Sequence, residues 1–324
     1  MNNSLLTVSV ITYNHFKYIA KCLDSILEQK TNFKFILRIF DDCSTDGTTE
    51  ICYQYAEKYP DVIQFYPTEK NLGVIENPIR AYSNIETPYY VLVEGDDLLC
   101  DDKQFQEEFD ILENHPECSF CAGGIKTHLV AEDFTFPDLF PGLNTGIYSL
   151  DYILSNPEVG IVTHTSTRMV RTSCISIDKD KPYIFLGDIT QAYELLKSGK
   201  MYYVKKAYSL YNYTREGLWS GKDFFKKTRF LLDNIETYDI YTNHKIQEIL
   251  VNTFKRHSDG DFNFFQIDKG RVRLGDCRSI IKAKKKHPVK KVVRFVLPPI
   301  VRYVFRIPKK TFRYLKKQRE KNNG

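Results

Sequence analysis

The chain has 324 residues, 42% of them hydrophobic and 27% charged, which is ordinary for a globular protein. Its N-terminus lacks the segments of a signal peptide, and no run of about 18 apolar residues predicts a transmembrane helix. The net charge of +5 is uneven, because residues 271–321 carry 19 Lys or Arg and two acids, which leaves −12 on the remainder. With eight scattered cysteines and no disulfide framework, we expect a cytoplasmic protein with an acidic body and a basic tail.

Short apolar runs alternate with helical periodicity through the first 125 residues. We predict strands at residues 7–12, 35–40, 62–66, 89–93 and 118–125. Helices are predicted at 16–28, from about 46 to 58, after the turn at 71–73 with Pro78 in the first helical turn, and around 105–112. This alternation is typical of βαβ units. The predicted fold class is therefore α/β, with a mostly parallel central sheet flanked by helices.

Polar segments follow three of these strands: Thr12-Tyr13-Asn14, Asp41-Asp42 and Glu94-Gly95-Asp96-Asp97. Right-handed crossovers bring the carboxyl ends of parallel strands to one edge, where open α/β sheets bind ligands. We therefore expect one shared site rather than three unrelated solvated turns.

The last of these segments carries three carboxylates within four residues. Ionised carboxylates at this density repel one another unless a cation lies among them. Hard oxygen ligands at a strand end suit Mg²⁺ or Mn²⁺, particularly where the metal is shared with phosphates. The alternative is a solvated acidic turn that leads into a helix N-terminus.

Four motifs follow one another at these strand ends. Residues 8–14 form an opening strand and loop, 41–48 read Asp-Asp-x-Ser-x-Asp-x-Thr, 71–73 read Asn-x-Gly, and 94–97 occupy the place of an Asp-x-Asp motif. In order and spacing they resemble the family-two inverting glycosyltransferases with the GT-A (Rossmann-like) fold, over residues 7–115 and more loosely to about 220. The resemblance implies a nucleotide-sugar donor and a divalent metal ion, Mn²⁺ or Mg²⁺.

For the nucleotide, the resemblance implies that Thr12, Tyr13 and Asn14 contact the base and ribose. Tyr13 has the alternative of a packed aromatic at the rim. Asp42 aligns with the Asp that hydrogen-bonds the base, and a carboxylate that accepts the imide N–H favours uracil or thymine over cytosine. Asp46 is expected instead to cap the following helix.

For the metal and diphosphate, Asp96 matches the second acid of Asp-x-Asp and is the predicted metal ligand. Glu94 replaces the usual first Asp, which leaves open whether it coordinates the metal or contacts the ribose or a metal-bound water. Asp97 is expected to contact the transferring sugar or to support the metal site. Arg215, in a partly matching segment, is predicted to pair with the diphosphate.

Inversion requires a base for the acceptor hydroxyl, and in the family this Asp opens a helix. Asp188 fits that place, with a helix N-cap lacking chemistry as the alternative. The run 163–168 is predicted to form the preceding strand, with His164 either on the acceptor side or simply hydrogen-bonded. Trp219 is expected to stack on a sugar or to fill the gap between the sheet and a helical appendage.

The C-terminal third has a different composition. Residues 222–258 predict one or two helices, so we expect a glycosyltransferase domain at 1–220, a helical appendage at 221–270 and a basic amphipathic tail at 271–324. Lysine clusters interleaved with bulky apolar residues at 271–321 favour an anionic membrane surface. Nucleic acid is disfavoured because the acidic body repels phosphate, and a solvated disordered tail is the remaining alternative.

Together these features predict a metal-dependent inverting glycosyltransferase that moves a sugar from a nucleoside-diphosphate donor, foremost a UDP-sugar, to a saccharide or lipid-linked acceptor in surface-polysaccharide or glycan synthesis. The expected location is the cytoplasm, peripheral at the inner face of the membrane. The alternative is a catalytically silent GT-A scaffold that acts through its basic tail, which Glu94 in place of Asp favours. A nucleotidyltransferase is disfavoured because no Gly-rich basic loop follows the first strand.

Overall fold

The computed structural model describes residues 4–135, 143–156, 163–175, 187–214, 265–268 and 271–274. The chain divides into two compact units, Met1–Thr214 and Arg215–Gly324. In the described part of the first unit the α-helices are α1 Ile19–Leu27, α2 Thr48–Lys58, α3 Gly73–Ala81, α4 Gln104–Asn114, α5 Leu150–Ser155 and α6 Gly187–Ser198. Its strands are β1 Leu6–Thr12, β2 Phe35–Asp41, β3 Ile63–Tyr66, β4 Tyr89–Glu94, β5 Leu98–Leu99, β6 Cys118–Leu129, β7 Phe134–Thr135, β8 Gly146–Tyr148, β9 Arg168–Arg171 and β10 Lys200–Tyr213.

These strands form one sheet in the order β3-β2-β1-β4-β9-β6-β10-β5, with β7 beside β6 and β8 beside β10. The pairs among β3, β2, β1 and β4 are parallel, and so is the pair of β6 with β10. β9 runs antiparallel to both of its neighbours, β4 and β6. The predicted mostly parallel central sheet is confirmed, and the antiparallel β9 is an addition to it.

Alternating side chains of β4 show how the sheet is covered on both faces. Val91 and Val93 belong to a large apolar core that also contains α1 and α4 residues, including Leu23 and Phe105. Tyr90 and Leu92 point the other way into a smaller cluster with Ala81 at the end of α3. Because both faces are covered, the central strands are nearly continuously apolar in sequence, which made them predictable.

The start of α3 differs from the sequence prediction. The helix begins at Gly73, whose φ of +85° suits glycine, and Pro78 lies at its sixth position rather than in the first turn. The missing N–H of Pro78 therefore removes one internal helical hydrogen bond. The helix starts early because the buried carboxylate of Asp42 accepts the backbone N–H groups of Leu72 and Gly73.

In the second unit, Phe265–Asp268 (β11) and Arg271–Leu274 (β12) pair as an antiparallel hairpin. β12 contains the first four residues of the segment predicted as a basic tail. The helices predicted at 222–258 and the tail beyond 274 lie outside the described residues. Within the described ranges, no helix is long and apolar enough to cross a membrane.

Candidate active site

The three polar segments lie side by side at the carboxyl edge of the sheet. In the parallel register, Thr12 at the end of β1 faces Asp41 of β2, and Ile11 faces Glu94 of β4. Two backbone hydrogen bonds continue this pairing into the loops, from Asp42 N to the Thr12 carbonyl at 3.0 Å and from Gly95 N to the Ile11 carbonyl at 2.9 Å. The segments therefore meet, as the sequence predicted.

Asn14 ties the loop after β1 to the loop after β2. Its Oδ1 accepts the Thr45 N–H at 2.8 Å, and its own N–H donates to Ser44 Oγ at 2.9 Å. Its φ of +55° is a conformation that asparagine adopts more readily than most residues. Tyr13, beside it, is 44% exposed. Asn14 thus shapes this edge of the site, while the Tyr13 ring is open to a ligand.

Two acids of the loop between β2 and α2, Asp41 and Asp46, stabilise that loop by hydrogen bonds. Asp41 is fully buried and accepts hydrogen bonds from Ser44 and from Thr49 Oγ1. Asp46 precedes Gly47, the N-cap residue of α2, and accepts the N–H of Thr48, the first residue of the helix, so it satisfies a free helical N–H as expected of it. Burial acts to raise the pKa of Asp46, but hydrogen bonds from Thr48 and from the Phe16 N–H outweigh it, so the pKa is lowered.

Asp42, the predicted base-reading residue, holds the start of α3. Its side chain is buried, Oδ1 accepts the Leu72 N–H at 2.7 Å, and Oδ2 accepts the Gly73 N–H at 2.8 Å. Each carboxylate oxygen has a second lone pair. The arrangement joins the Asp-Asp and Asn-x-Gly motifs into one structure, a link that their separation in sequence does not reveal.

The acidic turn after β4 presents its carboxylates in different directions. Glu94 and Asp96 are partly exposed, whereas Asp97 is buried. Asp97 Oδ2 accepts the Ser166 hydroxyl and lies 3.3 Å from His164 Nδ1. Ser166 Oγ is also 3.1 Å from His164 Nδ1. Two predicted site residues, Asp97 and His164, are therefore brought together in one buried network.

The prediction that residues 163–168 form a strand is wrong. Thr165–Thr167 is a single 3₁₀ turn, and β9 begins only at Arg168. Because β9 is antiparallel, its amino end lies at the edge where β1, β2 and β4 end. This reversal is what brings His164 beside Asp97.

His15 is a site residue that the sequence analysis did not single out. Its Nδ1 lies 3.2 Å from Thr12 Oγ1, and its Nε2 lies 3.8 Å from Asp96 Oδ1. The turn packs closely on this pair, since a Cβ on Gly95 would come within 2.7 Å of Thr12 Oγ1 and 2.9 Å of His15 Nδ1. The only sequence signal that pointed to His15 was its position directly after the Thr12-Tyr13-Asn14 segment.

The end of β10 supplies two more residues that sequence reasoning missed. Tyr211 and Asn212 both belong to β10. Asn212 Nδ2 donates to the Asp96 carbonyl at 2.7 Å. Burial, and then the charges of Asp96, Glu94 and Asp97, raise the pKa of Tyr211 well above its usual value. The phenol therefore lies neutral among the carboxylates, with its ring 5.7 Å from that of His164.

Three predicted site residues remain: Asp188, Arg215 and Trp219. Asp188 is the second residue of α6, the helix that it was predicted to open. Arg215 and Trp219 lie outside the described residues.

Over the described residues, no three His, Cys, Asp or Glu side chains form a group that could hold a metal ion. A cation shared with a diphosphate takes only part of its coordination from the protein, and Mg²⁺ in particular keeps several waters. The carboxylates of Asp96 and of Glu94, two residues before it in the same turn, are hard oxygen donors of the kind that such a shared divalent ion takes. The residues present therefore fit the expected metal.

Fold and site together define an α/β protein with an acidic, polar site at the carboxyl ends of its parallel strands, the edge at which open α/β sheets bind ligands. The model of the family described as glycosyl transferase family 2 matches residues 7–174, just over half of the chain. The chain belongs to glycosyl transferase family 2, and the predicted family, fold and enzyme class are confirmed.

Two relatives illustrate the match. TuaG of Bacillus subtilis, a putative teichuronic acid biosynthesis glycosyltransferase, is 32% identical over 165 residues, 50% of this chain and 63% of its own length. TarS of Staphylococcus aureus, a poly(ribitol-phosphate) beta-N-acetylglucosaminyltransferase, is 27% identical over 296 residues, 86% of this chain and 48% of its own length. The chain thus spans less than two thirds of the length of these curated relatives.

Solved structures share the fold at low sequence identity. The crystal structure of TarS 1–349 in complex with UDP-GlcNAc has a TM-score of 0.53 and 16% identity, covering 83% of this chain and 96% of that one. The mannosyltransferase PcManGT from Pyrobaculum calidifontis, in complex with GDP-Man and Mn²⁺, has a TM-score of 0.54 and 14% identity, covering 78% of this chain and 70% of that one.

Proposed function

We propose that the protein is a metal-dependent, inverting glycosyltransferase that moves a sugar from a UDP-sugar to a saccharide or lipid-linked acceptor in teichoic acid or surface-polysaccharide synthesis. The observation that carries this proposal is the junction of β1, β2 and β4. There the Thr12–Asn14 loop, Asp42 and the Glu94–Asp97 turn meet at one edge. The UDP-GlcNAc in the TarS complex, together with the poly(ribitol-phosphate) and teichuronic acid in the names of TarS and TuaG, supports the choice of substrates, as does the teichoic acid poly(glycerol phosphate) polymerase of Staphylococcus epidermidis, 35% identical over 94 residues.

The nucleotide binds between the loops after β1 and β2. Thr12, Tyr13 and Asn14 lie along the base and ribose, with the exposed Tyr13 ring as the contacting surface and Asn14 holding the loop. Asp42 accepts the imide N–H of uracil with a lone pair not used by α3. Cytosine has no such donor, so UDP binds better than CDP.

The diphosphate binds over the acidic turn. Asp96 would hold Mn²⁺ or Mg²⁺, and Glu94 would bind the donor through the ribose or a metal-bound water. The bound ion would offset the negative charge that develops on the departing diphosphate. Arg215 pairs with the same phosphates. Support for the metal comes from the carboxylates at this turn and from the Mn²⁺ of PcManGT.

The acceptor enters from the side of α6. Asp188 removes the proton from the acceptor hydroxyl as that oxygen attacks the anomeric carbon opposite the diphosphate, so the configuration inverts. The carboxylate of Asp97 holds the imidazole of His164 in place on the acceptor side of the site. Trp219 stacks on a sugar face. An Asp188→Asn variant is expected to bind donor normally but to lose about 10²–10⁴-fold in turnover, measured as UDP release; full turnover would contradict the assignment.

The basic segment 271–321 holds the enzyme at the inner face of the cytoplasmic membrane, beside lipid-linked acceptors. Its charge of +17 and its interleaved apolar residues suit anionic lipid better than nucleic acid. The full chain is expected to sediment with phosphatidylserine-containing vesicles in a salt-dependent manner. A chain ending near Gly270 that sediments equally well would contradict this role.

Thermal stabilisation by UDP, GDP, CDP and dTDP, each with and without Mn²⁺, tests the donor site. A nucleotide at about 100 times its dissociation constant adds about 2.7 kcal/mol to the free energy of unfolding. We expect a shift with UDP that grows with Mn²⁺ and loses its metal dependence in Asp96→Asn. The absence of a shift with every nucleotide would refute the proposed function.

A further inference from the structure

His15 has contacts that the proposed donor site does not explain. Its side chain is 24% exposed, and both ring nitrogens face oxygen atoms of the site. Nδ1 lies 3.2 Å from Thr12 Oγ1, which is a hydrogen bond, whereas Nε2 lies 3.8 Å from Asp96 Oδ1, which is too long for one. The imidazole is therefore oriented from one side and leaves a gap on the other.

The chain is built to keep this arrangement. Gly95 is the residue between Glu94 and Asp96, and a side chain there would collide with Thr12 and His15. The absence of a Cβ lets the loop after β1 lie directly on the acidic turn. The ring of His15 is thereby held next to the carboxylate of Asp96.

Neighbouring donor atoms about 2.1 Å from one ion are about 3.0 Å apart in octahedral geometry and about 3.4 Å apart in tetrahedral geometry. The gap of 3.8 Å between Nε2 and Oδ1 exceeds these separations by less than about 1 Å, so a small movement of either side chain would bring both atoms to one cation. Histidines that bind metals almost always use the other ring nitrogen to bond a neighbour that fixes the ring. The 3.2 Å contact allows the tautomer in which Nδ1–H donates to Thr12 Oγ1, and in that tautomer the lone pair of Nε2 is available on the side of Asp96.

We propose that His15 is a second protein ligand of the divalent cation beside Asp96, and that its nitrogen makes the site prefer Mn²⁺ to Mg²⁺. Mg²⁺ is a hard ion that favours oxygen, whereas imidazole suits transition metals better. The inference rests on the proposed function, because the diphosphate supplies the ligands that the protein lacks. Thr12 is then a positioning residue for the imidazole.

A competing explanation predicts the opposite sign. If His15 were only a protonated partner that neutralises Asp96, its positive charge would repel a cation, and its removal would tighten metal binding. If His15 is a ligand, its removal weakens metal binding. The direction of the change in affinity therefore separates the two explanations.

The experiment measures Mn²⁺ binding to the full chain saturated with UDP, from the electron paramagnetic resonance signal of free Mn²⁺, and repeats it in competition with Mg²⁺. We expect His15→Asn to weaken Mn²⁺ binding at least tenfold and Mg²⁺ binding less, and Thr12→Val to weaken Mn²⁺ binding by a smaller factor. His115→Asn is the matched control, because His115 pairs with Glu117 before the amino end of β6, away from the carboxyl edge. Circular dichroism checks that each variant is folded.

Electron spin-echo modulation of the bound Mn²⁺ gives a direct signature, since a coordinated imidazole couples its ¹⁴N nucleus to the metal. The coupling is expected in the wild-type chain and in His115→Asn and is expected to be lost in His15→Asn. Bound Mn²⁺ without ¹⁴N coupling in the wild type, or unchanged or tighter binding in His15→Asn, would overturn the inference and leave the donor site intact. Failure of UDP itself to stabilise the wild-type chain would instead overturn the proposed function and the inference with it.

Discussion

Replacing Asp42 with asparagine tests the contact that joins the end of β2 to the start of α3. The buried carboxylate accepts the N–H of Leu72 at 2.7 Å and that of Gly73 at 2.8 Å. Asparagine keeps one acceptor oxygen but turns its NH₂ group towards the other N–H. One hydrogen bond to a charged group is therefore lost, and one buried donor faces another donor.

The cost follows from these two contacts. A hydrogen bond to a charged group contributes about 1.5–3 kcal/mol, and a negative charge at a helix N-terminus adds about 0.3–1 kcal/mol. We expect Asp42→Asn to lower the free energy of unfolding by about 2–4 kcal/mol. Asp42→Ala, which removes both acceptors, is expected to cost more.

Equilibrium urea unfolding followed by circular dichroism measures this loss. At an m-value of about 2 kcal/mol per M, the midpoint shifts by about 1–2 M. Asp61→Asn, at an exposed position between α2 and β3, removes the same charge and is expected to stay within about 0.5 kcal/mol of the wild type. Amide hydrogen exchange at Leu72 and Gly73 is expected to accelerate only in the Asp42 variants. Equal midpoints for Asp42→Asn and Asp61→Asn would refute the reasoning.

The proposed base-reading role makes a separate prediction for the same variant. If Asp42 also accepts the imide N–H of uracil, Asp42→Asn loses the preference for UDP over CDP. If it only holds α3, binding of both nucleotides weakens by the same factor. Calorimetric titration of the two nucleotides distinguishes these outcomes.

Three further changes test other contacts by urea unfolding. Gly95→Ala is expected to cost about 1–3 kcal/mol and to weaken Mn²⁺ binding, because its Cβ would lie 2.7 Å from Thr12 Oγ1; unchanged stability and binding would contradict that packing. Asn14→Ala is expected to cost about 1–2 kcal/mol more than Asn14→Gly, since both lose the bond to Thr45 but only glycine suits a φ of +55°; equal costs would argue against strain. Burial raises the pKa of the Glu108 carboxyl well above its usual value. The free energy of unfolding of the wild type is therefore expected to fall as pH rises from about 4.3, the pKa of Glu in an unfolded chain, to the folded-state pKa. Glu108→Gln is expected to reduce that fall, and parallel pH profiles of variant and wild type would contradict this.

The local sequence was sufficient to predict much of the first half of the fold. Strands β1, β2 and β4 are covered by helices on both faces, so their apolar runs are nearly uninterrupted and identify them without knowledge of their partners. The polar residues that follow each run lie at the carboxyl edge because parallel strands share a direction. The meeting of Thr12, Asp42 and Glu94 was predictable for that reason.

Local sequence also predicted the structural role of one loop acid, Asp46. Asp46 precedes α2 at a position where its carboxylate reaches a free N–H group, and such capping depends on only a few neighbouring residues. The dual contacts of Asp42 were not predictable in the same way, because Leu72 and Gly73 are distant in sequence.

The direction of β9, and with it the residues that surround His164, depended on the tertiary packing. Short strands carry no sequence signal for parallel or antiparallel pairing, which depends on the neighbours β4 and β6. Likewise, His15 and Tyr211 became site residues only through contacts that cross between loops and strands. Local sequence was sufficient to place an acidic, polar edge at the carboxyl ends of the parallel strands. The three-dimensional packing decided which imidazoles and phenols face its carboxylates, because those neighbours are set by strand order and loop approach rather than by local periodicity.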